Sequence, residues 1–548
     1  MNSQLRRALP WLIAVIAVAV YANALRNGFA LDDASIVAHN TNVQHFAPLG
    51  DAWFSAYWPN LPFQEGLYRP LTIVSYMVEW ALWPGNAAGF HLVNVLLHGA
   101  VSALVVVLLL RLGAPAVAAA VGGVLFAIHP VHVEAVAGIV GYAELMSALF
   151  VLVACLVHLS RRGPAVLRWT AITACFLAAL LIKETAVSLP LLLVIVDGLD
   201  PNRRDRLWRK VWADAPLYLL LGAVFGGYLG LRYAVLGVFA GSTTAPGLIG
   251  KSFAVREATA VHTWLQYLRL MLWPRDLVGN YGPNVIVAAT WRQPGVYVAL
   301  AVGLAVLGSA WALRHRSRWY AAGVAWFVAS IFVVSNLFIS VGVVLAERTF
   351  YLPSIGLAFI AVPVTVWLGR RARRPAIAVA GLLAALAVAR VWTRTPVWHS
   401  TDTVLSDLAM HHPESFAAQM YIGDAAMKAG HPAEAVRHYA VAWQIAPDEF
   451  VGGSYASALE AVGDWPASER VARASCSISY PGPCLVLIDA LLAQHKIAAA
   501  GAIADSIADH IAPSVPVAER LLRVAEALGD STRIRSERAF LEALRAGR

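Results

Sequence analysis

Two adjacent carboxylates follow the first long apolar run of the chain directly. Asp32 and Asp33 occur in the stretch FALDDASI. Neighbouring side chains diverge in a helix or a strand, so this pair does not suit a glycosidase, whose two carboxyl groups face each other across one bond. Two interpretations remain from the residues alone. One carboxylate could act as a general base with the other in support, or Asp could simply cap the N-terminus of a helix.

More polar residues recur where apolar runs end, and together they could bind a polar or anionic substrate. Arg and Lys side chains bind phosphate oxygens, and carboxylates accept protons or hydrogen bonds from hydroxyl groups. Each residue also has a plainer explanation, as an anchor at the membrane interface or as a local hydrogen-bonding group. The candidates beyond the Asp pair are Tyr68, Arg69, His129, His132, Glu134, Lys183, Glu184, Glu347, Arg348 and Tyr351.

The segment HPVHVE, residues 129–134, combines two histidines with a glutamate and therefore raises the question of zinc. Its spacing is not that of a known zinc-binding helix. We therefore expect no metal ion here. Local hydrogen bonding and a polar substrate site are the two interpretations that remain for these residues.

Long apolar runs occupy the first 394 residues or so of the chain. The sequence is 59% hydrophobic and 14% charged, whereas soluble proteins have roughly 25% charged residues. A helix needs about 20 apolar residues to cross a bilayer. We therefore predict an all-α membrane region with about eleven spans, the first being an uncleaved helix rather than a signal peptide. The spans are 9–25, 90–110, 116–129, 140–159, 168–182, 185–199, 215–237, 293–313, 319–340, 351–369 and 376–394.

Basic residues are concentrated in alternate loops between these spans. The 548-residue chain has a formal net charge of +9, and its Arg-rich loops lie near residues 6, 111, 161, 203, 314 and 370. Basic loops stay in the cytoplasm, so the N-terminus is predicted inside, and an odd number of spans places the C-terminal tail and the polar candidates outside. The same distribution argues against a nucleic-acid partner. Two long outside segments, 26–89 and 238–292, contain Trp-rich amphipathic stretches that suit the membrane surface.

The tail has the composition of a globular domain and a repeating pattern. Pro413, Pro447 and Pro481 are 34 residues apart, which is the period of tetratricopeptide repeats. We therefore predict two domains, a membrane domain over 1–396 and a helical-repeat domain over 397–548. Such repeats bind peptides or partner helices on one face. Cys476 and Cys484 could form a disulfide if the tail lies in an oxidising compartment.

Several longer stretches resemble the family of transmembrane and tetratricopeptide-repeat protein O-mannosyltransferases and their bacterial relatives. The family belongs to the C-type glycosyltransferases. The matching stretches are LDDASIVAHN, YRPL, FHLVNVLLH, FAIHPVHVEAVAGIVGYAEL, LIKETAVSLP, SNLFISVGVVLAERTFYLPS and the repeats. Two departures concern Tyr142, where relatives often have Arg, and the weakly matching segment around residues 280–283.

The resemblance implies an inverting glycosyltransferase on the outer face of a bacterial inner membrane, with the repeats in the periplasm. Its donor would be a polyprenyl-phosphate sugar in the membrane lipid. Its acceptor would be the hydroxyl group of a Ser or Thr in an envelope protein, and the repeats would bind that protein. Asp32 or Asp33 would be the catalytic base, the phosphate would lie near Arg348 or Lys183, and the other candidates would line the site. No metal cofactor is expected, and the resemblance does not imply which sugar is transferred.

A different class of protein is also compatible with this organisation. A non-enzymatic scaffold, anchored in the membrane and assembling a periplasmic complex through its repeats, would explain the tail. It would not explain the Asp pair or the Glu347–Arg348 dipeptide. A transporter fits less well, because we find no paired broken helices.

Overall fold

The structure is a computed structural model that describes residues 3–58, 66–160, 163–201, 207–239, 244–245, 247–478, 480–508, 510–511 and 514–546. Within these ranges the regular structure is helical, with no β-strand, which confirms the predicted all-α class. The chain forms two compact units, residues 1–281 with 286–404, and residues 282–285 with 405–548. The basic loops predicted near residues 161 and 203 fall partly outside the described residues.

The first unit is built from long apolar helices, as its composition predicts. We number the longer ones in chain order. They are α1 Ser3–Tyr21, α2 Pro70–Leu82, α3 Ala87–Arg111, α4 Ala116–Ala127, α5 Tyr142–Leu159, α6 Ala165–Ile182, α7 Leu189–Leu199, α8 Ala215–Leu236, α9 Phe253–Leu272, α10 Pro294–Leu313, α11 Arg318–Ile331, α12 Ile355–Arg371 and α13 Arg373–Arg394.

Each of the eleven predicted spans overlaps one of these helices, and the chain is a multi-pass membrane protein. Among the described residues, seven helices are long and apolar enough to cross a bilayer alone. The segment Ala116–Ala127 with Pro130–Ala137, bent by 45°, would make eight. Helices α7, α11 and α12 are shorter than predicted. With 11 residues, α7 rises only about 16 Å at 1.5 Å per residue.

Polar residues explain why some predicted spans are interrupted. Helix α11 ends at Ile331, although the apolar run continues to residue 340. Asn336 has a left-handed backbone, with φ of 58°, and its side-chain amide donates to the carbonyl of Val343 at 2.7 Å. It also accepts from the N–H of Val341 at 3.1 Å. An Asn side chain that bonds nearby backbone groups competes with helical hydrogen bonds, so the helix does not continue through Asn336.

Short helical turns join the long helices at the positions of the predicted site residues. A turn of this kind leaves backbone groups and side chains free to bond across the bundle rather than along one helix. These turns are Ala34–Ala38, Pro130–His132, Val133–Ala137, Ile139–Gly141, Glu184–Ser188 and Glu347–Phe350.

Glycines allow two of the long helices to touch through their backbones. A methyl group on Gly323 of α11 would lie 2.5 Å from the carbonyl oxygen of Gly356 of α12, and the reciprocal approach is equally close. Small residues at a crossing let membrane helices pack at short range. This crossing lies at the N-terminal end of α12, which residues 351–354 separate from the turn Glu347–Phe350.

The second unit is an array of helical hairpins, which confirms the predicted solenoid. Helix α14, Thr401–His411, leads into it. Gly423 packs against the ring of Tyr439, where an added Cβ would lie 2.6 Å from Cε1, and Ala435 and Ala442 are fully buried. The hairpin helices are α15 Phe416–Lys428, α16 Pro432–Ile445, α17 Glu449–Ala461, α18 Trp465–Ser475, α19 Gly482–Ala493, α20 Ile497–Ile507, α21 Val515–Leu528 and α22 Ser531–Arg545.

A disulfide links two neighbouring hairpins of this array. Cys476 directly follows α18 and Cys484 lies in the first turn of α19, and the two are bonded. The remaining cysteines, Cys155 and Cys175, are free and belong to α5 and α6.

Candidate functional site

Asp33 is a buried structural link rather than an accessible carboxylate. Its Oδ1 accepts a hydrogen bond from the N–H of Val140 at 2.8 Å. Its Oδ2 accepts from the N–H groups of Ala30 and Ile139, each at 3.2 Å. Burial raises the pKa of Asp33 to about 7, against these hydrogen bonds, which lower it. With both oxygens occupied, Asp33 joins the turn after α1 to the turn before α5.

Asp32 has a different environment, although it is the next residue. Its side chain remains 35% exposed, and its Oδ2 lies 3.4 Å from Nη2 of Arg348. The preceding residue, Leu31, has a φ of 49°, a left-handed conformation that is rare for a bulky side chain. Such backbone strain often occurs at functional sites. Of the two adjacent carboxylates, Asp32 is the one that a substrate can reach.

Glu134 holds Arg348 in place through two hydrogen bonds. Its Oε1 accepts from Nη1 of Arg348 at 2.9 Å, and its Oε2 accepts from the backbone N–H of Arg348, also at 2.9 Å. The Glu134 side chain is 4% exposed, whereas that of Arg348 is 23% exposed. Charge-assisted bonds of this kind are among the stronger ones in proteins. Glu134 therefore holds one terminal nitrogen of Arg348, and the other terminal nitrogen lies near Asp32.

A second group of charges surrounds Glu184. Its Oε2 accepts from Nη2 of Arg69 at 2.9 Å and from Nε at 3.2 Å, and its Oε1 lies 3.8 Å from Nη1 of Arg232. The Arg69 guanidinium also lies 5.0 Å from the centre of the Tyr57 ring, within the range of a cation–π contact. Burial opposes the ionisation of Glu184, but the charge and hydrogen bonds of Arg69 outweigh it, and the pKa of Glu184 is lowered.

Lys183 and Glu144 form a third pair, which is almost fully buried. The Lys183 Nζ lies 2.8 Å from Oε1 of Glu144 in the first turn of α5. Burial lowers the pKa of Lys183, while Glu144 opposes that shift. The Lys183 charge also interacts with those of Arg69 and Arg348. All three groups thus form one charge cluster, which consists of Asp32, Arg69, Glu134, Glu144, Lys183, Glu184, Arg232 and Arg348.

Two other predicted site residues belong to a separate aromatic cluster, made of His98, Phe126, His132 and Tyr351. The His132 ring lies 4.7 Å from that of Phe126 and 4.8 Å from that of Tyr351. Its Nε2 bonds to the Ser354 hydroxyl at 2.8 Å, and the Tyr351 hydroxyl bonds to Nδ1 of His98, also at 2.8 Å. All four cluster side chains are buried. The structure does not bring His132 or Tyr351 into the charge cluster.

Three further candidates bond to backbone groups instead of meeting the charge cluster. His129 Nε2 bonds to the carbonyl of Met271 at 3.1 Å. The Tyr68 hydroxyl donates to the carbonyl of Trp53 at 3.0 Å. Glu347 Oε1 accepts from the N–H of Val278 at 2.6 Å. Glu347 also accepts from the hydroxyl of Tyr281 at 2.8 Å, and burial raises its pKa to about 8. Local hydrogen bonding, the plainer of the two sequence interpretations, describes His129 in the structure.

None of the predicted site residues belongs to the one group of possible metal ligands among the described residues. That group is His158, Asp197 and Asp214, whose ligand atoms lie within 4.8 Å of one another. His158 Nε2 bonds to Asp197 Oδ2 at 3.0 Å, and the Lys210 ammonium donates to the Asp197 carbonyl at 2.7 Å. These side chains already have protein partners.

Comparison with known proteins finds several similar curated sequences. The chain is 26% identical to the human protein O-mannosyl-transferase TMTC4 over 485 residues, which is 78% of this chain and 65% of the relative. It is 28% identical to Drosophila melanogaster Tmtc3, covering 65% of this chain and 46% of the relative, and 31% identical to Drosophila Tmtc2, covering 53% and 33%. The chain spans 65% of the length of human TMTC4. No family model matches the chain, and no solved structure matches it significantly.

Sequence reasoning overlooked two charged members of the charge cluster. Glu144 lies two residues into α5 and Arg232 four residues before the end of α8, both within candidate membrane spans. An ionisable residue in a membrane span indicates a functional site by default, because its burial in lipid is costly. That signal was present in the sequence for both residues, whereas the pairing of Glu144 with Lys183 and of Arg232 with Glu184 could be identified only from the fold.

Proposed function

We propose that this protein is an inverting glycosyltransferase, which moves a sugar from a polyprenyl-phosphate donor to a hydroxyl group on Ser or Thr of an envelope protein. The observation that carries the proposal is the environment of the Asp32 side chain. This carboxylate is partly exposed, its direction is set by the strained turn at Leu31, and it pairs with Arg348. The names of the relatives, protein O-mannosyl-transferases, support the same class of reaction.

In the proposed reaction Asp32 acts as the general base. Its carboxylate takes the proton of the acceptor hydroxyl, and the oxygen attacks the anomeric carbon of the donor sugar. The bond between that carbon and the phosphate oxygen breaks, and its electron pair leaves with the polyprenyl phosphate. Attack from the side opposite the leaving group inverts the anomeric configuration. A positioned base contributes roughly 10²- to 10⁴-fold to such a step.

Fixed cations would stabilise the negative charge that develops on the leaving phosphate. The charge cluster contains four cationic side chains, Arg69, Lys183, Arg232 and Arg348, all held by carboxylates, and those nearest the phosphate would act on it directly. Groups fixed before the reaction need no reorganisation when charge appears, and this makes them effective in a site shielded from water. We expect catalysis to depend on these residues without a metal ion.

We place this reaction on the outer face of a bacterial inner membrane, with the N-terminus in the cytoplasm. The alternation of Arg-rich and Arg-poor loops supports this orientation. The disulfide between Cys476 and Cys484 supports it as well, because disulfides persist in oxidising compartments such as the periplasm. The helical hairpins of the second unit would bind the acceptor protein, as such arrays bind extended or helical peptides.

The test uses the full chain reconstituted in liposomes with a synthetic polyprenyl-phosphate mannose and a Ser/Thr peptide. Asp32→Asn keeps the size of the side chain but removes the base, so transfer should fall by roughly 10²- to 10⁴-fold. Asp51→Asn, an exposed position on the same outside segment, is the matched control and should retain full activity.

Two results would overturn the proposal. Transfer by Asp32→Asn at the wild-type rate would remove Asp32 from the chemistry. Absence of transfer by the wild-type chain, with every polyprenyl-phosphate hexose offered, would instead favour the membrane scaffold, and deletion of residues 405–548 should then release a bound protein partner.

A further inference from the structure

The charges of the cluster are unevenly distributed between its two ends. At one end a single cation, Arg348, faces two carboxylates, those of Asp32 and Glu134. At the other end a single carboxylate, Glu184, faces two cations, Arg69 and Arg232. Lys183 and Glu144 form a neutral pair. The end at Arg348 therefore carries an excess of negative charge, and the end at Glu184 carries an excess of positive charge.

We propose that the phosphate of the lipid donor binds at the Arg69–Arg232 end, and that Arg232 is a phosphate-binding residue of the enzyme. This inference rests on the proposed function for the identity of the ligand. It differs from the sequence-based expectation, which placed the phosphate near Arg348 or Lys183. A phosphate is attracted more strongly to the end where two cations face one carboxylate. At the other end, the charge of Arg348 is already more than balanced by Asp32 and Glu134.

Arg232 has hydrogen-bonding capacity that the protein itself does not use. Its side chain is 4% exposed, and one terminal nitrogen donates to the carbonyl of Gly66. Its Nε is buried without a hydrogen-bond partner among the described residues. A buried donor without a partner lowers the stability of the protein, and a bound acceptor would remove that cost. A phosphate oxygen is the kind of acceptor that a guanidinium binds best.

The position of Arg232 suits a ligand that enters from the membrane. It lies on α8, a candidate span covering Ala215–Leu236, four residues before the helix ends. A donor with its tail in the bilayer would present its phosphate near the end of such a helix. Arg69, by contrast, lies at the start of α2, outside the candidate spans. The two guanidinium groups that meet Glu184 thus come from a candidate span and from a loop.

This arrangement assigns the donor and the acceptor to opposite ends of the charge cluster. The phosphate binds at the Glu184 end, the acceptor hydroxyl binds beside Asp32 at the Arg348 end, and the anomeric carbon lies between them. Displacement with inversion requires the nucleophile and the leaving group on opposite sides of the reacting carbon, and separated ends of opposite charge provide this. Arg348 then orients Asp32 instead of holding the phosphate.

The experiment measures binding of a sugar-free polyprenyl monophosphate to the full chain in nanodiscs, with the neutral polyprenol as the reference ligand. Wild-type protein should bind the phosphate better than the alcohol. Arg232→Gln should weaken phosphate binding by roughly 10- to 100-fold and leave binding of the alcohol unchanged. Arg232→Lys should recover part of the loss, and Glu184→Gln, which removes the competing carboxylate, should tighten binding. Arg348→Gln is the matched comparison at the opposite end and should not weaken it.

Thermal unfolding of each variant shows whether it is folded, and Arg69→Gln replaces Arg232→Gln if the latter does not fold. Weaker phosphate binding in Arg348→Gln, with wild-type binding in both Arg232→Gln and Arg69→Gln, would overturn the placement. Transfer activity separates this failure from failure of the proposed function. If Arg232-dependent binding occurs but no hexose is transferred, the placement stands and the reaction does not. If transfer occurs with an unchanged KM for the donor in Arg232→Gln, the reaction stands and the placement does not.

Discussion

The charge cluster and the aromatic cluster both contain polar residues that end apolar runs in the sequence. The two clusters differ in how much of these side chains remains exposed. In the charge cluster, Asp32, Glu184 and Arg348 keep 35%, 27% and 23% of their side chains exposed. In the aromatic cluster every side chain is buried, and its polar groups bond to one another or to neighbouring groups, except Nδ1 of His132, which has no hydrogen-bond partner among the described residues. Polar residues that end apolar runs are thus of two kinds, those that stabilise the bundle and those that remain available to a ligand.

The largest expected effect compares two adjacent residues, Glu347 and Arg348. Arg348→Gln removes the cation that orients Asp32 and leaves Glu134 without its partner, so we expect transfer to fall by roughly 10²-fold or more. Glu347→Gln keeps the acceptor oxygen for Val278 and Tyr281, so transfer should change by less than about threefold. Steady-state kinetics of the two purified variants measures this difference. Equal losses in both would show that the distinction between the neighbours is wrong.

A smaller effect is expected in the aromatic cluster. His132→Phe keeps an aromatic ring but removes the bond to the Ser354 hydroxyl. We expect it to lower the free energy of unfolding by about 1–3 kcal/mol while kcat per folded molecule stays near the wild-type value. Thermal unfolding and kinetics on the same preparation test both statements. A loss of kcat by 100-fold in stable protein would move His132 into the site.

The smallest expected effect concerns Asp33, through the pH dependence of stability. Its pKa in the folded protein is raised to about 7 by burial, above the usual value of about 4. The folded state therefore holds this proton more tightly than the unfolded state. The stabilisation is complete below about pH 4 and is lost as the pH rises toward 7. Asp33→Asn cannot titrate, so its Tm should fall less between pH 5 and pH 8 than that of the wild type, even if its Tm is lower throughout. Parallel slopes would contradict this assignment.

The sequence allowed prediction of those features that depend on periodicity and composition. Apolar runs located the helices of the first unit, and the spacing of Pro447 with Gly423, Ala435 and Tyr439 identified the hairpins of the second. The ends of α11 were harder to predict, because a single Asn side chain decides where the helix stops.

Prediction of the site was limited by contacts between distant segments. Nothing in the local sequence distinguishes Asp32 from Asp33, because the difference comes from the N–H groups of Ile139 and Val140, more than one hundred residues away. Lys183 and Glu184 were identified as candidates, whereas the residues that balance their charges, Glu144 and Arg232, became evident only in the fold.

The contact between Gly323 and Gly356 has a consequence for how the site can change shape. The backbones of α11 and α12 touch at this crossing, and Phe327 and Ile360 pack beside it, so we expect the two helices to move together. Only residues 351–354 separate the turn that carries Arg348 from α12, and we therefore expect the Arg348 guanidinium to move with this pair of helices. Any opening that admits a donor must then come from the opposing parts, the turn at Leu31 and the start of α2. Gly323 and Gly356 lie outside the charge cluster, but their close contact would thereby help to fix the position of Arg348 relative to Asp32.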